Sequence, residues 1–356
     1  MGKLELINRV YDKLCDEESK RVYEAKLELI INNDEMKFLD WFISEYKDIR
    51  CPELEAYEKK NPNAEYILFG VGKEGQKAYK ILKSCGKKVI GWCDNNKNLY
   101  DGKNQIFQGE PGILPNDLGL HYSDKTVIIS VKNSLPIYQQ LVLMGFPREH
   151  IIISMNGSLL GSHGNQYFDL FSADKTEKEI FVDAGCWDGV TTKTFVEWCG
   201  GDKHYDKIYA FEPDESCWEK CEETFSKAGI SNVCFVKKGT WNEKDTLYFK
   251  TSGRGSSSIG NKETANLRIQ VTSIDEVLNG GKATFIKLDV EGSEMETLIG
   301  AQETIRNYKP KLAISVYHKP EDMWMVAEYV MKLNPDYKLY LRHYTTCSYE
   351  TILYAI

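Results

Sequence analysis

The chain has 356 residues, a net charge of −8, 42% hydrophobic and 28% charged residues, enough material for two domains that each bury a core. That acidic balance argues against a nucleic-acid partner held mainly by phosphate contacts, and no apolar run reaches the roughly 18–20 residues a membrane helix needs. The opening MGKLELINRV lacks the apolar core of a signal peptide and carries Leu6 where a myristoylation pattern wants Ser or Thr, so the expected location is cytoplasmic, with no membrane span.

Residues 1–60 read as a helical appendage. Leu4, Ile7, Val10, Tyr11 and Leu14 keep helical spacing, as do Val22, Tyr23, Leu27, Ile30 and Ile31, then Met36, Leu39, Phe42, Ile43 and Tyr46. Pro52 and the polar run to Pro62 close it. A different pattern starts at Tyr66. The stretch YILFGVGKEGQKAYKILKSCGKKVIGWCDNN predicts strand, glycine turn, helix and second strand, and TVIISV (126–131) and HIIIS follow around a further helix. Such alternation predicts a parallel sheet over 61–160.

Within it, Gly70, Gly72 and Gly75 form a full G-x-G-x-x-G between strand and helix, with Asp94 at the end of the next strand. That is the context of a dinucleotide fingerprint. It suits a bound NAD(P), a bound nucleotide-sugar, or a scaffold that holds neither. The polar stretch from Met155 to about Gly164 marks a boundary.

A second α/β domain is expected over 165–356. Strand-like runs recur at IFVDAG, KIYAFE, VCFVKK, FIKLDV, KLAISVYH and YKLYLRHY, and ETILYAI closes a hairpin-like pair. In FVDAGCWDGVTT, a strand runs into Asp183-Ala184-Gly185 and then Asp188-Gly189 before a helix. Glycines there allow a ligand close to the backbone, and the interleaved acids favour a ligand with hydroxyls and an amino group over a pyrophosphate. Glu212-Pro213 ends the next strand, where an acid can accept hydrogen bonds from ribose hydroxyls. Asp183, Glu212, Thr240, Asp289, His318 and His343 all fall at or just past strand ends, the rim on which ligands of open α/β sheets gather.

FIKLDVEGSE, preceded by VTSIDEVL and followed by KPKLAISVYHKPEDMW, together with FEPD, GTWNEKDTLYF and YKLYLRHY, resembles the FkbM family of bacterial O-methyltransferases over about 165–356. The segment through GWCDNN resembles the nucleotide-sugar-binding domain of bacterial sugar acetyltransferases. The first resemblance implies a class I methyltransferase fold beside another Rossmann-like domain. It implies S-adenosylmethionine as cofactor and a hydroxyl on a sugar, polysaccharide or polyketide as acceptor, and the expected reaction is methyl transfer to a hydroxyl of a sugar, glycan or nucleotide-linked sugar. Asp183, Gly185, Asp188 and Gly189 would line the methionine and ribose end. Glu212 with Pro213 would hold the ribose, and Thr240 and Trp241 would lie near the adenine, with Asp289 and Glu291 at the mouth of the fourth strand.

An alcohol is a poor nucleophile, so a base is needed. His318 is the first choice, with Asp289 or Glu291 second. The alternative for His318 is a satisfied strand-end histidine. Lys287 either pairs with a nearby acid or stabilises alkoxide charge, and Glu294 steadies the following helix from its N-terminus. No metal is expected, although Asp289, Glu291 and His318 offer two oxygens and a nitrogen. The ten cysteines lack a C-x-x-C and read as reduced thiols. SGRGSSSIG (252–260) is either a flexible loop or a cover over the acceptor with Arg254 as an anion contact. Rival readings are a non-catalytic nucleotide-sugar-binding or scaffold protein and an NAD-dependent sugar oxidoreductase. An oligomer is compatible with all of them.

Overall fold

A computed structural model describes residues 2–101, 106–154, 161–172, 178–251, 257–259 and 267–356. The chain forms two compact units. One comprises Met1–Ile30, Asn165–His343 and Tyr349–Ile356; the other comprises Ile31–Gly164 and Tyr344–Ser348. The helical stretch expected as one appendage over 1–60 is therefore divided between them. Helices α1 (Lys3–Lys13) and α2 (Glu17–Asn32) open the chain.

In the unit containing residues 31–164, Asp34 caps α3 (Glu35–Glu45) by accepting from the backbone of Met36 and Lys37. After α4 (Pro52–Lys60) come β1 (Tyr66–Phe69), α5 (Lys73–Ser84), β2 (Val89–Cys93), α6 (Pro115–His121), β3 (Thr126–Ile129), α7 (Leu135–Leu143) and β4 (Ile151–Ile153). The strands lie in the order β2-β1-β3-β4, and every pairing is parallel. YILF and TVII are apolar without alternation because both faces are covered. Tyr66, Leu68 and Ile128 pack with Tyr79 and Leu82, and Ile67, Phe69 and Ile129 pack with Leu118 and Leu141.

The other unit continues through β5 (Glu179–Ala184), α8 (Val190–Cys199), β6 (Tyr205–Phe211), α9 (Glu215–Lys227) and β7 (Val233–Val236). A smaller set follows: β8 (Gly239–Thr240), β9 (Asp245–Thr251), β10 (Ser257–Ile259), β11 (Leu267–Thr272) and α10 (Ile274–Leu278). Last come β12 (Phe285–Leu288), α11 (Glu294–Ile299), α12 (Gln302–Tyr308), β13 (Lys311–Ser315), α13 (Asp322–Leu333), β14 (Leu339–His343) and β15 (Thr351–Ala355). A seven-stranded sheet has the order β14-β15-β13-β12-β5-β6-β7. Its strands from β7 to β13 are parallel, and β15 runs against both of its neighbours. The expected terminal pair is present, with β15 slotted between β13 and β14.

From β5 the chain builds outward to β7 and then returns to β12 on the other side of β5. This places the topological switch point, the ligand crevice of such sheets, between β5 and β12. The second, four-stranded sheet, β10-β9-β11-β8, is not apparent from the sequence, because a two-residue strand such as β8 is too short to show periodicity.

The turn from α1 to α2 lies along the edge strand β14. Leu14 bridges Leu339, Cys15 N donates to Leu339 O at 2.9 Å, and Leu341 N donates to Ser19 Oγ at 2.9 Å. Arg342 meets Asp16 at 2.6 Å. Among the described residues, no helix is long and apolar enough to cross a membrane.

Candidate active site

The loop after β5 is built by backbone contact. Gly185 has φ +79°, and a Cβ there would lie 1.9 Å from the carbonyl oxygen of Asp289. No side chain fits at this position, so the loop after β5 can press directly on the main chain that follows β12. Lys287 on β12 is the register partner of Asp183 on β5, and its Nζ lies 3.1 Å from Asp183 Oδ1, with both side chains essentially buried. The ammonium also donates to Gly185 O at 2.6 Å and Ala184 O at 3.2 Å, while Thr192 Oγ1 donates to Asp183 Oδ2 at 2.7 Å. Burial disfavours the charge on Lys287, but Asp183 and Asp289 outweigh it and hold its pKa above the ordinary lysine value.

Two expectations need correction here. Lys287 is not a catalytic group facing an acceptor, because its donors are taken up inside the sheet. Nor is the Asp183 carboxylate presented to a ligand; it anchors the glycine loop from below.

Glu212, just past β6, accepts from Trp187 N at 2.9 Å and from Asp214 N at 2.8 Å. Burial pushes its pKa up. Pro213 lies beside Gly239, 3.6 Å from where a Cβ on that glycine would sit. Asp188 accepts from Val190 N at 3.1 Å at the start of α8, and Gly189 (φ +78°) precedes that helix. The Trp187 N–H bond to Glu212 thus ties the Gly185–Gly189 turn to the end of β6, while Gly189 itself packs on Phe225 of α9. Thr240 turns inward, since its hydroxyl is buried against Thr297 Oγ1 at 2.8 Å. Trp241 is half-buried, and its backbone N–H donates to Thr272 O. His343 also turns inward, fully buried with Nδ1 2.8 Å from Thr351 Oγ1.

Asp289, Glu291 and His318 are brought together. Asp289 Oδ2 accepts from Tyr167 OH at 2.9 Å and Oδ1 from Tyr317 OH at 3.0 Å. Burial alone would raise its pKa, but Lys287, His318 and Tyr167 hold it below the usual carboxylate value. Nε2 of His318 is 3.7 Å from Asp289 Oδ1 and 3.6 Å from Glu291 Oε2, while Nδ1 is 2.8 Å from Glu294 Oε1. Burial works against a charged His318, yet Glu294, Asp289 and Glu291 together raise its pKa above the usual imidazole value. Glu291 sits at φ +55° with its side chain 88% exposed.

Ligand atoms of Asp289, Glu294 and His318 lie within 4.8 Å of one another. Within that group, Glu294 Oε1 and His318 Nδ1 are hydrogen-bonded at 2.8 Å. Tyr167, Tyr317 and Glu350 escape the sequence reading. Glu350 accepts from Tyr317 OH at 3.5 Å, and burial followed by the Asp289 charge raises its pKa. Tyr317 stands next to His318, a usable signal; Tyr167 in NQYFDLF reads only as core. Arg254 and most of SGRGSSSIG lie outside the described residues, and Ser257–Ile259 of that stretch form β10 against β9.

In the unit containing residues 31–164, a Cβ on Gly75 would lie 2.0 Å from Gly70 O, so that glycine is required for packing α5 onto β1. Asp94 Oδ2 accepts from Val71 N at 3.2 Å. Gly70, Gly72, Gly75 and Asp94 therefore do converge. A cleft of about 660 Å³ nearby is lined by Ile43, Val71, Gln76, Tyr79 and Phe107.

Residues 178–345 match the family model described as a methyltransferase FkbM domain. Among solved structures, an FkbM methyltransferase from Methylobacillus flagellatus KT is similar over 98% of this chain and 99% of its own, at 18% identity and a TM-score of 0.47. An rRNA methylase from Streptococcus thermophilus is similar over 50% of this chain and 87% of its own (19% identity, TM-score 0.32). Aeropyrum pernix fibrillarin, solved with natively bound S-adenosyl-L-methionine, is similar over 51% and 67% (10% identity, TM-score 0.31). No curated protein matches the chain significantly.

Proposed function

We propose, from the match of residues 178–345 to the methyltransferase FkbM domain, an enzyme that moves a methyl group from S-adenosylmethionine to a hydroxyl of a sugar, glycan or nucleotide-linked sugar. One observation carries the reading: Gly185 lies against the carbonyl of Asp289, so the glycine loop and the Asp289–His318 cluster share a single rim at the switch point. The residues present fit the cofactor. Gly185 and Gly189 make the tight turn that ends β5, packed against Asp289 O and Phe225, and Glu212, holding two backbone N–H groups, has lone pairs left for ribose hydroxyls.

When bound, the cofactor supplies an electrophilic methyl on a sulfonium. This chain's residues do the rest. Asp289, fixed by Tyr167 and Tyr317, accepts a hydrogen bond that orients the acceptor hydroxyl. His318 takes the hydroxyl proton at Nε2 as transfer proceeds. Glu291, exposed and unfettered by the core, reaches the acceptor's outer hydroxyls.

Calorimetric titration with S-adenosylmethionine, joined to methyl-transfer assays on neutral glycans, tests this. His318→Ala is expected to leave cofactor affinity nearly unchanged and to lower turnover by about 10²–10⁴. Absence of binding at millimolar cofactor overturns the enzyme reading, and full turnover in His318→Ala overturns the base. For the unit containing residues 31–164, the proposed ligand is a nucleotide-sugar at Gly70–Gly75, with Asp94 exchanging Val71 N–H for ribose hydroxyls. Parallel titrations with a nucleotide-sugar and with NAD(P) separate the two ligand classes.

A further inference from the structure

We infer that Glu294 is a positioning residue that holds His318 in the tautomer whose bare nitrogen, Nε2, faces Asp289, Glu291 and the acceptor. This rests on His318 as the base, and adds to it a residue and a proton position.

Glu294 opens α11, and its side chain is completely buried. It folds back so that Oε1 accepts from Val290 N at 3.2 Å and Gly292 N at 3.4 Å. An oxygen that receives backbone N–H groups is acting as a carboxylate acceptor. Its third neighbour, His318 Nδ1 at 2.8 Å, must then carry the proton, since two bare acceptors would repel at that distance. In neutral imidazole the lone pair therefore rests on Nε2.

Nε2 stands 3.6–3.7 Å from the oxygens of Glu291 and Asp289, beyond hydrogen-bond length. It is bound by neither and can accept from a hydroxyl placed between them. The imidazole plane is set from its other side by Tyr317, with ring centroids 4.2 Å apart.

The same contact favours the imidazolium formed after proton uptake. Glu294 Oε2 is buried without a hydrogen-bond partner among the described residues, so its charge is shielded little by solvent. Other charged groups near His318 come from every packed element. Asp289 and Glu291 follow β12, Lys287 lies within it, Glu350 precedes β15, and Lys319 bonds Gly292 O. Asp322 opens α13, and burial plus the Glu294 charge push its pKa up to about 6. Glu294 is the one that touches the ring at hydrogen-bond distance.

A mere helix-capping role makes a different prediction, because a glutamine would cap equally well. The test uses the full chain with ¹⁵N-labelled imidazoles, His318 being assigned by its loss in His318→Asn. Nitrogen shifts above the ring's pKa are expected to show Nδ1–H and bare Nε2. In Glu294→Gln the His318 pKa is expected to fall by about one unit or more. The acid limb of kcat is expected to shift with it, and kcat to drop about ten- to a hundred-fold at little change in acceptor KM. Neutral His318 protonated on Nε2 in the parent protein overturns the inference, as does an unshifted His318 pKa in Glu294→Gln. The parent measurement decides even if the variant fails to fold. If S-adenosylmethionine does not bind while Nδ1–H is observed, the methyltransferase reading fails and the positioning contact stands.

Discussion

At the scale of the residue, charge inside this sheet serves architecture before chemistry. Lys287 interrupts an apolar strand, a pattern that invites a catalytic reading, yet its ammonium closes on Asp183 and two carbonyls. Removing one partner of such a pair strands the other in a dry interior. Lys287→Met is therefore expected to destabilise the fold by about 3–5 kcal/mol, while Lys287→Met with Asp183→Asn recovers much of that loss. Denaturant melts of both variants check it, and equal stability of Lys287→Met and the parent would contradict the buried pair. His318, by contrast, keeps one nitrogen at the rim, which is what a base requires. Both residues stand in strand-like runs of the sequence; which of them faces the crevice depends on register across strands far apart in the chain.

At the scale of the element, β14 is the outer strand of the seven-stranded sheet, and an open strand edge invites pairing with other chains. Leu14, Cys15 and Ser19 occupy that edge, and Asp16 and Glu18 hold Arg342 of β14. Deleting residues 1–30 is expected to leave a soluble fraction that self-associates at micromolar concentration, detectable by light scattering. A monodisperse truncated protein with parent-like melting would show that the edge needs no cover. Helical periodicity identifies α1 and α2, but nothing local links Ser19 to Leu341, because the contact joins opposite ends of the chain. The four-stranded sheet of β8–β11 is hidden for a related reason: its shortest member acquires strand geometry only from its neighbours.

At the scale of the whole molecule, two glycine-turn sites occupy separate compact units, so ligands should mark them separately. S-adenosylmethionine is expected to slow backbone hydrogen exchange at 183–190, 211–214 and 289–294 and to leave 66–75 unchanged. A nucleotide-sugar is expected to do the reverse. Mass spectrometry of peptides from the intact chain reads both outcomes. Slowing at 66–75 by S-adenosylmethionine would place the cofactor in the other unit and overturn the assignment.

The order of strands and helices, the glycine turns and the polar residues at strand ends are local properties, and the sequence by itself determined them. Periodicity, turn chemistry and apolar run length act over a few residues and need no partner. That is why Glu212, Asp289 and His318 were legible at the rim of an α/β sheet. Only the tertiary structure decided which side chains face the crevice. Asp183 and Lys287 meet by parallel register, Thr240 and His343 turn into the core, and Tyr167 reaches Asp289 across more than a hundred residues. Such pairings depend on closing long loops, whose partners no local pattern specifies.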